Sequence, residues 1–541
     1  MKDALERIKD ERPVAQLREQ TGRMLELGSE DGVPKLDWVE GVARLLANDS
    51  WLEEVEREIE AIHASGIRHI IWSGMGGSIM TVRVLLDMGL LHGESDSIAV
   101  HPLDSTDPAA LNDIVRALAA AKDISLPASG VSAPQSLLRE LLSDVMMIGV
   151  SMGMTSEEPI THLEWFTDLL AQAGLPIDRH CLVMTLHGSY LERFAQERGF
   201  PARPLQLDGG TGTGGRMSAP TTRVFLLPAA IALRSASPVE GQLRPVLRQG
   251  WEQYDLEQAT DRPETHLYVR LAATLSDAAI DGACRLSFSA GERWSALFPG
   301  IEQLMEESLG KSGKGVILFE DAPLDPRGRC YRSDGSVRVH VGRESGSLAP
   351  DTFTLAPAAG ENPADLLAAL AASFLGWQLA MALYGYLHDT PFAGQPAVEA
   401  YKARARQLRG EGEPLQAGLA SAQVLREGPL TLLVPPDSTR EESPLSAMAA
   451  ALTEACPPYL DLTVNGKLRA EELRGVRSRL AALANRTLGV PAKLRIAPAA
   501  YHSTEQSEMD GPPGLVSLRV LALNHEDAVL GSYTDTFLAA Q

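Results

Sequence analysis

Between residues 41 and 240, short apolar runs alternate with stretches whose apolar positions recur every three or four residues. Ile67–Trp72, Val145–Val150, Cys181–Leu186 and Pro204–Leu207 read as strands, with Met80–Leu91 and Ile160–Ala173 as helices among them. Apolar strands alternating with helices imply a parallel sheet covered on both sides. Ligands of such sheets gather at the carboxyl ends of the strands, where Gly- and Ser-rich turns fall in this chain. A second α/β unit is expected over residues 241–408, with strands at His266–Ala273, Arg285–Ser289 and Gly315–Phe319. Pro323–Arg343, dense in turn formers and charge, reads as an exposed excursion. The polar break Arg409–Pro414 opens a smaller α+β unit over 409–541. Its strands are expected at Leu430–Val434, Tyr459–Val464, Lys493–Ala497 and Leu515–Leu523, with a helix near Ala470–Ala484. Residues 1–40 read as a polar, helical N-terminal appendage.

Leu366–Leu387 is uncharged and long enough to span a bilayer. It is rich in Ala, carries Gln378 at its middle and lacks basic flanks, so a buried core helix is the better reading. A chain of 541 residues with 44% hydrophobic and 22% charged residues has room for several sizeable cores. Its formal charge of −22 argues against nucleic acid and against anionic membrane surfaces as partners. Cys181, Cys284, Cys330 and Cys456 are widely spaced, form no metal-binding pattern and suit a reducing cytoplasm as buried or incidental thiols. The charged stretch Met1–Asp10 has no apolar segment of the kind a signal peptide needs.

Candidate chemistry begins at Ile301-Glu-Gln-Leu-Met-Glu-Glu-Ser-Leu-Gly-Lys311, which reads as an amphipathic helix. Ile301, Leu304, Met305 and Ser308 share one face, and Gly310 supplies a stop. Gln303 and Glu307 lie four residues apart, hence one turn apart on a neighbouring face. A carboxylate there can move a proton and the amide can fix a hydroxyl, although a solvated surface helix would show the same spacing. Gly74-Met-Gly-Gly-Ser78 places glycines where a strand meets a helix, so backbone N–H groups can approach an oxyanion. Ser151–Glu158 brings hydroxyls to a helix N-terminus, as a phosphate cradle or simply as caps. Gly210–Gly215 satisfies GxGxxG formally, but no acidic ribose ligand follows at a strand end. Gly310-Lys-Ser312 invites a P-loop reading that Met305, in place of the required glycine, removes. His101, His162, His187 and His340 fall in no motif.

These segments, together with Leu103-Asp-Ser-Thr-Asp-Pro108, Gly214-Gly-Arg-Met-Ser218, Gln395-Pro-Ala-Val-Glu-Ala-Tyr-Lys402 and Tyr501-His-Ser-Thr-Glu-Gln506, occur in an order that resembles phosphoglucose isomerases of the sugar isomerase (SIS) fold. The likeness runs over roughly residues 40–525 and is nearest to the isomerase module of bacterial transaldolase–phosphoglucose isomerase fusions. It implies two SIS-type parallel-sheet α/β sandwich domains, 41–240 and 241–408, plus the C-terminal α+β unit. It also implies a cytoplasmic, metal-free and cofactor-free isomerase of glycolysis and gluconeogenesis that interconverts glucose 6-phosphate and fructose 6-phosphate. Under this resemblance Glu307 relays the proton between C2 and C1, and Arg216 stabilises the cis-enediolate. Lys402 and His502 help open the ring; Gly77, Ser78, Gln303 and Gln395 orient hydroxyls; Ser151, Thr155 and Ser156 hold the phosphate.

The departures from the family pattern are specific. Met152 stands where the phosphate loop usually has Lys, Gly153 where it has a hydroxyl residue, and Met154 where it has Gly. A lost charge-assisted hydrogen bond costs roughly 1.5–3 kcal/mol, so another phosphosugar, or sugar-phosphate binding without catalysis, are the alternatives. Ala393-Gly394 replaces a single Asp, lengthening that loop by one residue. Glu505 and Ser507–Asp510 replace Gly and His-Lys-Gly-Gly in the tail. A homodimer and a working link to a separate transaldolase fit the resemblance; the chain itself carries no transaldolase segment.

Overall fold

The computed structural model describes residues 3–92, 97–127, 132–152, 158–235, 237–332, 336–343, 348–410, 422–428, 430–434, 439, 441–465, 468–497, 501–513, 516–521 and 529–530. A short antiparallel pair, β1 (Ser29–Glu30) and β2 (Val33–Pro34), follows three N-terminal helices. The first large sheet comprises β3 (His69–Gly74), β4 (Ala99–Leu103), β5 (Val145–Ser151), β6 (Cys181–Thr185) and β7 (Ala202–Pro204). Its order is β4-β3-β5-β6-β7 and every pairing is parallel. All residues of β5 and β6 are buried because alternate side chains enter two different cores. Ile70, Trp72, Ile148 and Met184 point into one; Ile71, Met147, Cys181 and Val183 point into the other. That explains the unbroken apolar runs in the sequence.

The second sheet, β8 (Ala283–Ala290), β9 (Gly315–Glu320), β10 (Ser336–Val341) and β11 (Phe353–Leu355), is also parallel throughout, in the order β11-β10-β8-β9. One face joins the main core, and on the other Ile317 and Phe319 of β9 pack against Tyr459. Leu286, Phe288, Val337, Val339 and Leu318 join the main core, while Arg285, Ser287 and Arg338 alternate onto the opposite face. Two expectations fail here. His266–Ala273 is not a strand but lies almost wholly in the helix Leu267–Ala278. Its Leu267-Tyr-Val start favours a strand, yet Val269, Ala272, Ala273 and Leu275 are buried at helical spacing, and Tyr268 packs edge-on against Trp377. Nor is Pro323–Arg343 only an excursion, since β10 within it pairs with both β11 and β8. The period-two pattern of Val337, Val339 and Val341 outweighs the surrounding charge.

The helix Pro363–Leu387 crosses the main core, and the most apolar stretch within it is 94% buried inside the molecule. The N-terminal helices share that core through Ala4, Ile8, Leu17, Met24 and Leu27. In the C-terminal unit, β12 (Gln423–Glu427) and β13 (Leu430–Val434) form a hairpin. There β14 (Leu460–Asn465), β15 (Ala492–Ala497) and β16 (Val516–Leu521) form a parallel sheet with β14 central. A disulfide joins Cys330 to Cys456, 126 residues apart, which corrects the reading of four separate thiols. Cys181 and Cys284 remain buried free thiols. The spacing along the chain could not reveal this pairing, because it arises only where the C-terminal unit meets the segment before β10.

That unit is docked onto the helix Phe298–Leu309 by buried charge. Lys493 pairs with Glu302 at 2.8 Å and with Glu306, and Arg495 reaches Glu306 at 3.5 Å and Asp461 at 2.9 Å. Glu306 also accepts the Leu318 N–H at 2.9 Å, so one carboxylate ties the helix to both its neighbours. Buried ions demand such multiple partners, since their desolvation is not repaid by one contact.

Candidate functional site

The helix Phe298–Leu309 carries Pro299 in its first turn and ends at Gly310. Gly310 is required for a reason beyond helix termination: a Cβ there would lie 2.5 Å from the Ser507 Cα. The tail helix Tyr501–Asp510 thus rests directly on the end of the Glu307 helix. Gln303, Glu306, Glu307 and Ser308 are all buried, so this is an interior helix rather than a solvated one.

Glu307 stands at the centre of the site. Its Oε1 accepts from Arg216 Nη1 at 3.2 Å and its Oε2 accepts from Gln303 Nε2 at 2.8 Å. Arg216 sits in the one-turn helix Gly215–Met217 and is itself nearly enclosed. Its Nε donates to Ser308 Oγ at 2.6 Å, and its Nη2 donates to the carbonyls of Phe392 and Gly394 at 2.7 and 3.0 Å. Among the described residues these bonds use four of the five guanidinium N–H groups, leaving one Nη1 proton. The first α/β unit reaches this point through its glycine turn. Gly76 adopts φ +52°, and a Cβ there would lie 2.9 Å from Gln303 Nε2. At Gly77 a Cβ would lie 2.1 Å from the Gly215 carbonyl oxygen. Backbone here touches backbone, so Gly77→Ala is expected to cost about 1–3 kcal/mol of stability through overpacking. Urea denaturation of the variant checks this.

Ser78 is buried behind the turn, and its carbonyl accepts the Trp72 indole N–H at 2.9 Å. Ser151 ends β5, with its carbonyl accepting from Thr185 Oγ1 at 2.9 Å. Met152, next in the chain, approaches Gly215 closely, so a Cβ on Gly215 would lie 3.9 Å from the Met152 Cβ. Thr155 and Ser156 lie outside the described residues, as does the side chain of His502, whose backbone belongs to the tail helix. Gln395 and Lys402 converge on Glu399 rather than directly on Glu307: Gln395 Nε2 donates to Glu399 Oε1 at 3.2 Å, and Lys402 Nζ lies 3.4 Å from the same oxygen.

Three residues to which the sequence assigned no role support the site. Lys311, one turn beyond Glu307, is buried and donates to the carbonyls of Pro391 and Ala393 at 2.7 and 2.9 Å. Its spacing of four from Glu307 was the available signal, masked by the false P-loop. Burial, and then the adjacent Arg216 charge, lower its pKa from 10.5 to about 7. An unfolded lysine keeps its proton up to about 10.5, so between these values the unfolded chain binds more protons and stability rises with pH. The advantage of the neutral buried amine is lost as pH falls toward 7. Denaturation midpoints measured from pH 7 to 10 should therefore climb less steeply in Lys311→Met than in the wild type.

Gln506 accepts from Ala397 N–H at 2.9 Å and donates to the Gly310 carbonyl at 3.1 Å, stitching the tail helix to two site segments. His162, fully buried, bridges Ser73 Oγ at 2.7 Å and the Ser105 carbonyl at 3.1 Å. A carbonyl only accepts, so Nε2 carries the proton and Nδ1 accepts from Ser73. Burial pushes the imidazole pKa down to about 4, which keeps this tautomer neutral while it pins the Leu103–Pro108 turn to β3.

A cavity of about 20 Å3, lined by Gly77, Gly215, Arg216, Gln303, Phe374 and Trp377, holds about one water. A larger groove of about 360 Å3 lies between the face of the second sheet that carries Arg285 and Arg338 and the C-terminal unit. Three of its cations pair with its own carboxylates, Arg477 with Glu320 at 2.9 Å, Lys493 with Glu302 at 2.8 Å and Arg338 with Asp351 at 3.4 Å, and Arg285 and Arg332 also line it.

No family model and no curated protein sequence matches the chain. Solved structures do. A glucose-6-phosphate isomerase from Chlamydia trachomatis superposes with TM-score 0.54 at 14% identity, covering 77% of this chain and 87% of its own. A protein of Thermus thermophilus described only as hypothetical superposes with TM-score 0.54 at 20% identity, covering 75% of this chain and 96% of its own. At such identities the likeness is one of fold, and the chain has the mixed α/β, parallel-sheet architecture of SIS-type proteins.

Proposed function

We propose that this chain is an aldose–ketose isomerase of phosphosugars and that its substrates are glucose 6-phosphate and fructose 6-phosphate. The observation that carries this reading is the buried Glu307 carboxylate, held between Arg216 at 3.2 Å and Gln303 at 2.8 Å where the two α/β units meet. In the open-chain aldose, Glu307 takes the proton from C2, and the electron pair forms the C1=C2 bond of a cis-enediolate. The negative charge falls on O1, where the remaining Nη1 proton of Arg216 supports it. Glu307 then returns its proton to C1 as the O2 proton passes to O1, leaving the ketose. Hydrogen moves between neighbouring atoms with no net oxidation, so the reaction calls for no redox cofactor. Lys402 and His502 are assigned to ring opening; Gly77, Ser78, Gln303 and Gln395 to the hydroxyls; Ser151, Thr155 and Ser156 to the phosphate. At the level of fold, the likeness to a glucose-6-phosphate isomerase is consistent with this reading. A coupled assay of both hexose phosphates tests it, and absence of turnover in either direction removes it.

Met152 in the phosphate loop favours a relative of this reaction on another phosphosugar, which turnover across mannose, pentose and heptose phosphates would reveal. A non-catalytic sugar-phosphate-binding protein is the second reading. It is favoured by the closed arrangement in which both Glu307 oxygens are already engaged. Its signature would be a ligand-induced rise in melting temperature with no product by NMR.

A further inference from the structure

The segment Pro391–Gly394 precedes Gln395 and the helix Pro396–Gly410, and its four successive carbonyls are shared between two basic side chains. Lys311 Nζ takes those of Pro391 and Ala393, and Arg216 Nη2 takes those of Phe392 and Gly394. The partners alternate along the segment, so Lys311 holds the strap through Pro391 and Ala393 while Arg216 holds it through Phe392 and Gly394. The strap is also anchored by the Phe392 N–H, which donates to the Leu27 carbonyl at 2.9 Å. At Gly394 the chain turns with φ +70°, and a Cβ there would lie 3.1 Å from Glu30 Oε1. The lone extra residue of this loop thus falls inside the clamped stretch.

We infer that Lys311 is a positioning residue of the isomerase site. By fixing the Pro391 and Ala393 carbonyls of the 391–394 strap it holds those of Phe392 and Gly394 on Arg216, keeps that guanidinium on Glu307, and sets where Gln395 enters. Arg216 without this support would have mobile acceptors for its Nη2 protons. Its Nη1 contact with Glu307 would then no longer be fixed. The charged groups that bear on Lys311 are Arg216 from the glycine loop, Glu307 from the helix that precedes it, Glu30 from β1 and Asp510 from the tail helix. The inference rests on the isomerase reading for its kinetic consequence but not for its geometry.

Lys314 provides the control, because its Nζ donates at 2.8 Å to the His388 carbonyl, just upstream of the strap and away from Arg216. Lys311→Met is expected to lower kcat at least tenfold with KM changed less than threefold, Lys311→Arg to recover part of the loss, and Lys314→Met to leave both constants unchanged. Amide exchange over Phe392–Val398 should rise at least tenfold in Lys311→Met and stay unchanged in Lys314→Met. If Lys311→Met does not fold, Lys311→Gln, which keeps a donor and lacks the charge, carries the same comparison. A kcat within twofold of wild type for the Lys311 variant, or an equal fall in Lys314→Met, overturns the inference. If the wild type turns over no phosphosugar, the isomerase reading fails separately and the exchange comparison alone decides: unchanged protection in the Lys311 variant overturns the positioning role.

Discussion

Glu307→Gln is expected to reduce kcat by about 10²–10⁴-fold, the usual contribution of a positioned general base, while the protein stays folded. The substitution keeps the shape and removes only the ability to hold a proton. An amide at 307 confronts two donors, Arg216 Nη1 and Gln303 Nε2. Its oxygen can face Arg216, and Gln303 can rotate its own amide so that its oxygen meets the new NH2 group. Hydrogen bonding is thereby restored, and the melting temperature should move by only a few degrees. The kinetic loss should coincide with loss of solvent-proton exchange at C2 of the substrate, followed by NMR. A variant retaining a tenth or more of wild-type kcat would assign the proton transfer to another group.

Arg216 has the larger structural role, and its replacement should damage stability and rate together. Arg216→Met removes the charge partner of a buried carboxylate along with donors to Ser308, Phe392 and Gly394. Breaking a buried ion pair from one side costs about 3–5 kcal/mol, because the remaining charge is left without compensation. Arg216→Lys restores a positive charge, but a single ammonium cannot reproduce a planar fork that reaches a carboxylate, a hydroxyl and two carbonyls. Its kcat is expected to stay about 10²–10³-fold below wild type, the scale of losing one preorganised oxyanion donor. Combined with Glu307→Gln, the loss should be less than the product of the two single losses, since both residues serve one step. A lysine variant within threefold of wild type would mean that a point charge suffices and the fork is not used.

Much of this site was legible before folding was considered. Gln303 and Glu307 are four apart, and their hydrogen bond follows from helix geometry alone once the helix is placed. The turn Gly74–Ser78, the Gly214–Ser218 loop and the Gln395–Lys402 helix start were recognisable by motif and order. Strands β3, β5 and β6 were readable because burial on both faces leaves no polar alternation. Reading failed where local preference and tertiary packing disagree. His266–Ala273 has β-favouring side chains, yet its packing against the long core helix makes it helical. Ser336–Val341 was obscured by neighbouring charge, although its own alternation was correct for a half-buried strand.

Lys311 shows the limit most clearly. Its significance depends on carbonyls 80 and 82 residues later, and Arg216 depends on acceptors 176 and 178 residues away. Backbone carbonyls carry no sequence signature, so no motif could disclose that one strap is held by both residues. By itself the sequence determined which residue types could share a helix face or a strand–helix turn, because those relations act over one turn of chain. Only the tertiary structure decided that Glu307, Arg216, Gln303 and Lys311 enclose a common point, because that convergence is set by how the two sheets and the tail helix pack around the Phe298–Leu309 helix.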